Sequence, residues 1–366
     1  MIISANSLLI NGEIRSAIKF EVVDGMITSL NAEGVPDLEI AGTLIPGFVD
    51  MHCHGGGGNY FSAKSDQDIQ KVIDIHRANG TTTTIASLVT EPLDVLKEQI
   101  KRLVPFVKSG KIAGIHLEGP YLSPGQCGAH DPELLRDPIV SELKELLEIG
   151  DGAISMITLA PELPHGIEAI EFLVDNGVVV ALGHTDADAE VTKNALSAGA
   201  SVITHFYNAL PRIDHYNPGI VLVGLLNDSV VLELINDGHH VANAAVELVL
   251  KSAPGRMVLI TDAMAAAGME GSGEYKIGSL DVHVEDGVAR LTSNGSLAGS
   301  TLTMKRTFER LIEEFGASIE YASYCASTLP ARTLGIEYVG EIAVGKLANF
   351  VELDSSTGKV SNTYCF

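Results

Sequence analysis

Basic side chains are scarce in this sequence. Its 366 residues include 24 lysines and arginines against 47 aspartates and glutamates, so the formal net charge is −23. A surface of this sign repels phosphate backbones and anionic lipid, which disfavours a nucleic-acid-binding or membrane-surface protein. We therefore expect neither a nucleic acid nor a membrane as a partner.

Cysteines and long apolar runs are also few. The four cysteines, Cys53, Cys127, Cys325 and Cys365, show no CxxC spacing, which argues against a disulfide framework and against a structural zinc ribbon. No apolar run reaches about 18 residues, and the first residues lack a basic segment followed by an apolar one. These absences favour a cytoplasmic protein in a reducing compartment.

Short β-rich runs alternate with helical periods over most of the chain. Hydrophobic residues make up 46% of the sequence, enough for a large core. Runs rich in Val, Ile and Thr occupy residues 44–50, 82–88, 112–118, 153–159, 178–184, 201–206, 230–235 and 257–263. Amphipathic segments follow several of them, as between Ser65 and Gly80. Since this alternation is typical of parallel strands with helical crossovers, eight repeats predict a closed (β/α)8 TIM barrel, an α/β fold.

The two ends of the chain have a different, β-rich texture. The Asp24-Gly25 turn between apolar runs predicts a hairpin near the start, and similar runs return after about residue 335. We predict a small, discontinuous β-sandwich domain built from residues 1–43 and 336–366. Residues 44–335 then form the barrel, with a β-hairpin inserted at about 273–295.

Metal-ligating residue types cluster at the predicted carboxyl ends of strands, where such barrels carry their active sites. They are His52 and His54 after strand one, Glu118 after strand three, His184 after strand five, His205 after strand six and Asp262 after strand eight. Residues i and i+2 of an extended segment project to one side about 6.6 Å apart, so His52 and His54 can face one ion. A lone histidine is more often structural, but this combination predicts a metal site that suits zinc or iron. His116 either shares this face or supports a ligand.

The sequence resembles the N-acetylglucosamine-6-phosphate deacetylase family of metal-dependent amidohydrolases in seven motifs: FVDMHCHGG, IHLEGPYLSPGQCGAHDP, LGHTDAD, THFYNALP, NDGHHV, LITDAMAAAG and LAGST. The resemblance covers nearly the whole chain. An HxH motif alone is typical of the whole superfamily, whereas IHLEGPY, THFYNAL and LAGS are specific to this branch.

The resemblance implies the ligands of the metal centre. Glu118, His184 and His205 correspond to the principal ligands, while His52 and His54 match members that hold a second ion with Glu118 bridging. The implied cofactor is a divalent metal, Zn2+ with Fe2+ or another divalent ion as alternatives, in one or two copies per subunit.

The resemblance also implies a catalytic pair. Asp262 takes a proton from the water that attacks the acetamide carbonyl and gives it to the departing amine, while His130 steadies the oxyanion. The alternative for Asp262 is a helix N-cap on the Ala-rich segment that follows. Substrate contacts are implied for Ala129, Asn208, Ala209, His215, His240, Leu297, Ala298 and Gly299.

The sequence departs from the family at the expected phosphate contact. Tyr216 stands where many relatives carry an arginine that reaches across a dimer interface to the substrate phosphate, and a tyrosine has no fixed charge. Arg212, His215 or a neighbouring subunit are the alternatives, and the implied assembly is a homodimer. Cys127 lies in the loop after Glu118, and we expect it near the site without acting as a nucleophile.

The implied activity is hydrolysis of N-acetylglucosamine 6-phosphate to glucosamine 6-phosphate and acetate. An amidohydrolase acting on another N-acetylated amino sugar or on a cyclic amide is an alternative, although no lysine is aligned for carboxylation as the cyclic-amide branch requires. A non-catalytic scaffold of the same fold is a further alternative, which the complete set of expected ligands disfavours.

Overall fold

The computed structural model describes residues 1–366. Its nineteen strands are β1 (Ile2–Ile10), β2 (Glu13–Val23), β3 (Met26–Ser29), β4 (Leu38–Pro46), β5 (Phe48–Cys53), β6 (Gly55–Gly56), β7 (Asn59–Tyr60), β8 (Thr81–Leu88), β9 (Gly114–Glu118), β10 (Ile154–Leu159), β11 (Val179–Leu182), β12 (Val202–Ile203), β13 (Val231–Ile235), β14 (Met257–Ile260), β15 (Gly273–Ile277), β16 (Leu280–Glu285), β17 (Val288–Leu291), β18 (Asn349–Leu353) and β19 (Val360–Cys365).

Ten α-helices accompany these strands. They are α1 (Asp66–Ala78), α2 (Leu93–Lys108), α3 (Val140–Gly150), α4 (Gly166–Asp175), α5 (Ala189–Ser197), α6 (Ile220–Leu226), α7 (Asn243–Ser252), α8 (Met304–Phe315), α9 (Ile319–Ser323) and α10 (Leu329–Thr333). A π-helical turn, Tyr324–Thr328, joins α9 to α10. None of these helices has both the length and the apolar composition that a membrane crossing requires.

Eight parallel strands form the barrel. Their order in space is β5, β8, β9, β10, β11, β12, β13 and β14, the same as their order in the chain. The first and last strands meet at the carboxyl end, where the Asp262 amide donates to the His52 carbonyl at 2.8 Å and the His54 amide donates to the Ala263 carbonyl at 2.9 Å. The predicted (β/α)8 barrel is confirmed.

Helix α1 shows how the sequence builds one barrel unit. Ile69, Val72 and Ile73 recur at helical spacing and are buried against the strands. After the helix the chain turns at Gly80, which has φ +90°. A Cβ at Gly80 would lie 2.6 Å from the Phe48 ring, so only glycine lets the chain enter β8 this close to β5.

Strands from both chain ends form one six-stranded sheet in the order β19, β18, β4, β1, β2, β3. This confirms that the two termini build a common β structure beside the barrel. Residues 44–46 belong to this sheet, because Leu44 and Ile45 pair with β18. The first barrel strand therefore begins at Phe48, later than the predicted residue 44, and Gly47 marks the change of sheet, since a Cβ there would meet Thr82 at 2.2 Å.

The segment inserted after β14 has three antiparallel strands, β15, β16 and β17, where the sequence predicts a two-stranded hairpin. The additional turn lies at Asp286-Gly287, where both residues have positive φ. Ile277, Val282 and Ala298 belong to a small apolar cluster beneath these strands. The insertion thereby brings residues 294–299 to the mouth of the barrel.

The adjacent, mutually tilted rings of Phe48 and Phe308 give a test of the packing between β5 and α8. Both side chains are fully buried, with ring centroids 5.0 Å apart. Phe308→Ala should lower the free energy of unfolding by about 3–5 kcal/mol, because it leaves a cavity at this contact. Chemical denaturation measures the loss. Val35→Ala, at a residue that is 87% exposed, should stay within about 0.5 kcal/mol of the unchanged protein, and equal losses for both variants would contradict this packing.

Candidate metal centre and active site

The carboxylate of Glu118, at the end of β9, lies at the centre of a buried cluster of imidazoles. Its Oε1 is 3.1 Å from Nε2 of His184 and 3.0 Å from Nε2 of His205. Its Oε2 is 3.2 Å from Nε2 of His54 and 3.4 Å from Nε2 of His130. Four ring nitrogens from separate parts of the chain therefore face one carboxyl group.

His52 and His54 project from the end of β5 to the same side, as alternation along a strand requires. Their Nε2 atoms are 3.1 Å apart. Asp262 Oδ1 lies 3.5 Å from His52 Nε2 and 3.2 Å from His54 Nε2. The structure thus brings all five sequence-predicted metal ligands and Asp262 into one cluster.

Backbone strain accompanies the ligands at the strand ends. His184, His205 and Asp262 have φ of +48°, +27° and +47°, a region that residues with a side chain rarely adopt. Such conformations persist where the surrounding structure imposes them, and they concentrate at functional sites. Here they turn the side chains into the mouth of the barrel.

The outward-facing nitrogens of two ligands are fixed by backbone carbonyls. Nδ1 of His184 donates to the carbonyl oxygen of Gln126 at 2.8 Å, and Nδ1 of His205 donates to that of Asn208 at 3.1 Å. Because Nδ1 carries the proton in each ring, Nε2 presents its lone pair to the centre of the cluster. This is the tautomer that a histidine needs to bind a metal through Nε2.

The alternative of Asp262 as a helix N-cap is wrong. The residues after Asp262 form a bridge to Ser300 and then a turn, with no helix. The Ser300 amide donates to the Asp262 carbonyl at 2.7 Å, which holds this segment extended. The Asp262 side chain is left facing the imidazoles.

The two acids of the cluster are held as anions. Burial raises the pKa of Glu118, but the imidazoles around it, His52 foremost, outweigh burial and hold this pKa well below its usual range. Burial likewise raises the pKa of Asp262, while His52 and His54 bring it below its usual value. Burial lowers the pKa of His184 to about 4, so this ring is uncharged at neutral pH and can offer an electron pair to a metal.

These donors fit a divalent cation. The set His52, His54 and Glu118 and the set Glu118, His130 and His184 each place their ligand atoms within 4.8 Å of one another. Buried carboxylate oxygens together with imidazole nitrogens suit zinc and iron. Glu118 is common to both sets.

A cavity of about 460 Å³ opens above the cluster. Six of the eight residues with implied substrate contacts line it, namely Ala129, Asn208, Ala209, His240, Leu297 and Gly299. Cys127 also lines it, close to the cluster as expected. No lysine or arginine is among the lining residues.

His215 and Ala298 do not line this cavity. His215 is exposed on the loop after β12, where its ring centroid lies 4.0 Å from that of Tyr216. Ala298 is fully buried in the apolar cluster under the inserted strands. Its neighbours Leu297 and Gly299 reach the cavity in its place.

Several residues around the site were missed by sequence reasoning. Gln126, Asn294 and Ser296 line the cavity from loops whose course the sequence does not reveal. Asp237 accepts a hydrogen bond from Nδ1 of His240 at 2.6 Å. Glu233 is a fully buried acid inside the apolar run 230–235, and a lone carboxylate in such a run is a signal that could have found it.

The ring of His116 lies below the cluster. Its Nδ1 is 2.9 Å from the Ser87 hydroxyl and its Nε2 is 2.8 Å from the Thr158 hydroxyl. Both ring nitrogens are therefore engaged within the barrel, and the ring packs edge-on against His52 at 4.6 Å. His116 therefore packs against the proposed ligand His52, which agrees with the expectation that it supports a ligand.

The model of the amidohydrolase family matches residues 43–365. The chain belongs to the amidohydrolase family. It is 37% identical to N-acetylglucosamine-6-phosphate deacetylase of Vibrio furnissii over 85% of this chain and 79% of that protein. It is also 37% identical to N-acetylgalactosamine-6-phosphate deacetylase of Escherichia coli O157:H7, over 92% of this chain and 90% of that protein.

Solved structures of family members superpose closely on this fold. A variant of N-acetyl-D-glucosamine-6-phosphate deacetylase from Mycobacterium smegmatis, solved in complex with N-acetyl-D-glucosamine-6-phosphate, matches with a TM-score of 0.94 and 39% identity, covering 100% of this chain and 97% of that one. The Thermotoga maritima enzyme matches with a TM-score of 0.90 and 33% identity, covering 100% and 98%. The amidohydrolase similarity therefore extends over the barrel and the terminal sheet.

His184→Asn tests whether the cluster binds metal. The substitution removes the Nε2 donor beside Glu118 and should lower the metal bound per chain after dialysis against metal-free buffer, measured by elemental analysis. His283→Asn is the matched control, since His283 is exposed on the inserted strands. Equal metal content in the two variants would rule out His184 as a ligand.

Proposed function

We propose that this protein is an N-acetylglucosamine-6-phosphate deacetylase that hydrolyses its substrate to glucosamine 6-phosphate and acetate. The observation that carries the proposal is the convergence of Glu118, the histidines and Asp262 on one buried point beneath a cavity large enough for a sugar. The named deacetylases that match most of the chain support this assignment. A scaffold without activity is disfavoured, because every expected ligand lies in the cluster.

We propose zinc as the metal, with iron as the alternative, bound in one or two copies. Glu118, His184 and His205 would hold one ion, and His52, His54 and Glu118 would hold the second. When bound, the ion supplies a Lewis acid that polarises the amide carbonyl and lowers the pKa of water to about 7.

Asp262 is the proposed general base and acid. Because the neighbouring imidazoles keep its pKa low, its carboxylate is anionic at neutral pH and ready to take a proton. Oδ1 takes the proton of the attacking water and passes it to the amine nitrogen as the C–N bond breaks. His52 and His54, whose Nε2 atoms lie 3.5 Å and 3.2 Å from Oδ1, place the acid beside the proposed metal position.

His130 is the proposed donor to the oxygen of the tetrahedral intermediate. The backbone amide of Thr90 points at its Nδ1 at 3.4 Å, and the Thr90 hydroxyl lies 2.9 Å from the same nitrogen. Since Nδ1 accepts from the amide, the ring proton is assigned to Nε2, and the residue lines the cavity. Nε2 can then donate to the substrate oxygen as negative charge develops there.

The proposed sugar contacts come from the residues that line the cavity. Backbone groups at Ala129, Ala209 and Gly299, together with Asn208 and His240, surround the space above the cluster. Leu297 adds an apolar contact, and Ala298 is the buried residue that holds this turn in place. The phosphate has no lysine or arginine to meet within this cavity, so its charge must be balanced from elsewhere.

We propose that the protein is a homodimer and that the second subunit supplies the positive charge that balances the substrate phosphate. Arg212 and His215 lie on the exposed loop after β12, where Tyr216 is 82% exposed and Ile213 is 47% exposed. Exposed apolar side chains of this kind favour burial against a second copy. The loop of one subunit would then reach the cavity of the other and bring its basic side chains to the phosphate.

A cytoplasmic location is proposed as well. The four cysteines, which are all free, support a reducing compartment. The net charge of −23 supports small-molecule substrates over nucleic acid or anionic membrane as partners.

The rate of acetate release from three N-acetylated sugars tests which of them is the substrate. N-acetylglucosamine 6-phosphate should give the highest kcat/KM, with N-acetylgalactosamine 6-phosphate and unphosphorylated N-acetylglucosamine each at least about tenfold lower, a difference of about 1.4 kcal/mol in transition-state binding. Asp262→Asn should lower kcat by about 10²–10⁴-fold with metal content unchanged, as the loss of a general base requires.

Asp281→Asn is the control for Asp262, because Asp281 lies exposed on the inserted strands. A higher kcat/KM for the galactosamine epimer would reassign the substrate. Full turnover by Asp262→Asn would overturn the proposed chemistry.

Mixed dimers test whether two subunits share each site. Arg212→Ala combined with His215→Ala should raise KM for the phosphorylated sugar, and Asp262→Asn should lower kcat, so each protein by itself should have little activity at low substrate concentration. When these two proteins are co-expressed, a shared site restores one intact active site in each mixed dimer, so activity should return to about a quarter of the unchanged level. Activity no greater than the sum of the separate variants would place each site within one subunit.

A further inference from the structure

Glu233 is a buried acid that the proposed chemistry does not use. It lies in the middle of β13, and its side chain is fully buried. No lysine or arginine pairs with it, and its one ion-pair contact is with His52. A carboxylate removed from water at this depth is costly unless hydrogen bonds compensate for it, so its partners indicate what it does.

Both hydrogen bonds of the Glu233 side chain go to the proposed metal ligands. Oε2 lies 3.1 Å from Nδ1 of His52 and 3.2 Å from the backbone nitrogen of His205. The Glu233 carbonyl also accepts a hydrogen bond from the Phe206 amide at 2.7 Å. Oε1 has no partner. One residue of β13 thereby connects the ligand at the end of β5 to the turn that follows β12.

The contact with His205 stabilises a strained segment. His205 and Tyr207 have φ of +27° and +81°, so the chain leaves β12 in a conformation that costs free energy. The side chain and carbonyl of Glu233 engage two successive amides of this turn. They hold the backbone that directs the His205 ring toward Glu118.

The contact with His52 fixes a tautomer. A carboxylate only accepts, so Nδ1 of His52 carries the proton and Nε2 is left with its lone pair facing His54 and Glu118. The corresponding nitrogens of His184 and His205 donate to neutral carbonyls, and Nδ1 of His54 has no partner. Among the proposed histidine ligands, His52 is thus the one oriented by a carboxylate. A carboxylate partner also makes an imidazole more basic, and therefore a stronger electron-pair donor to a metal.

We propose that Glu233 is a positioning residue of the metal centre, which orients His52 through its ring and His205 through its backbone so that both Nε2 atoms meet at Glu118. The inference rests on the proposed metal-dependent function. Glu233 does not line the cavity, so it acts through the two histidines and does not contact the substrate.

Zinc affinity tests this inference without any measurement of turnover. The zinc-loaded protein is titrated with a zinc-binding fluorescent chelator, and the unchanged protein is compared with Glu233→Gln and Glu233→Leu. Glu233→Leu should bind zinc about 10–100-fold more weakly, the usual effect of removing a residue that orients a ligand. Glu233→Gln keeps one acceptor oxygen in a nearly identical shape, so its affinity should fall between the other two.

The control variant is Glu309→Gln. Glu309 is also a buried glutamate that accepts a backbone hydrogen bond, from Val360 at 3.0 Å, but it lies on α8 away from the cluster. Its zinc affinity should equal that of the unchanged protein. An equal loss in Glu309→Gln and Glu233→Gln would show a general effect of buried acids and overturn the inference.

A double-mutant cycle with His52→Asn separates positioning from folding. If Glu233 acts through His52, then Glu233→Gln should weaken zinc binding less in the His52→Asn background than in the unchanged protein. The same fold-change in both backgrounds would overturn this role, as would unchanged zinc affinity in Glu233→Leu. Absence of zinc binding by the unchanged protein would instead refute the proposed metal-dependent function itself, so the two failures are distinguishable.

Discussion

The structure of the active-site region depends on one buried carboxylate, Glu118, and the imidazoles that surround it. Removing this anion from water is unfavourable, and the compensation comes from histidines that leave the barrel after β5, β11 and β12. These side chains are separated by up to about 150 positions in the chain, so the compensation exists only when the barrel is closed. A divalent ion at this point would bind the carboxylate and the imidazole nitrogens together.

The barrel and its loops contribute to the site in different ways. The strand ends hold the proposed metal ligands in strained backbone conformations, supported by carbonyl and carboxylate partners behind them. The loop after β9 and the turn after β17 supply the groups that face the cavity, including Gln126 and Ser296. In barrels of this type the strand ends usually carry the catalytic residues and the loops shape the cavity, since loops can vary in sequence without disturbing the closed sheet.

The distribution of charge separates the surface from the cavity. The chain is strongly acidic, and the cavity wall contains histidines and amides together with the carboxylates of Glu118 and Asp262, but no lysine or arginine. An anionic substrate would therefore meet local hydrogen-bond donors and imidazoles, with little long-range attraction from the protein as a whole. The exposed loop after β12 carries Arg212 beside the exposed apolar side chains of Ile213 and Tyr216.

The sequence by itself determined the type of fold and which side chains gather in the buried cluster. Alternation of apolar runs with amphipathic segments is a local pattern, and the alternation of side chains along a strand placed His52 and His54 on one side. Because parallel strands end at the same rim, residues as distant as Glu118 and Asp262 could be assigned to one cluster from their positions after strands.

The tertiary structure decided what depends on contacts between distant segments. Leu44 and Ile45 pair with β18, so the first barrel strand begins later than the sequence predicts. The packing of the inserted strands buries Ala298. His215 lies outside the cavity of its own chain, and Glu233 lies behind two ligands that no motif connects to it. Spacing along a strand fixes the side on which a residue projects, but which residue meets it across the barrel depends on register and closure, which are global properties of the fold.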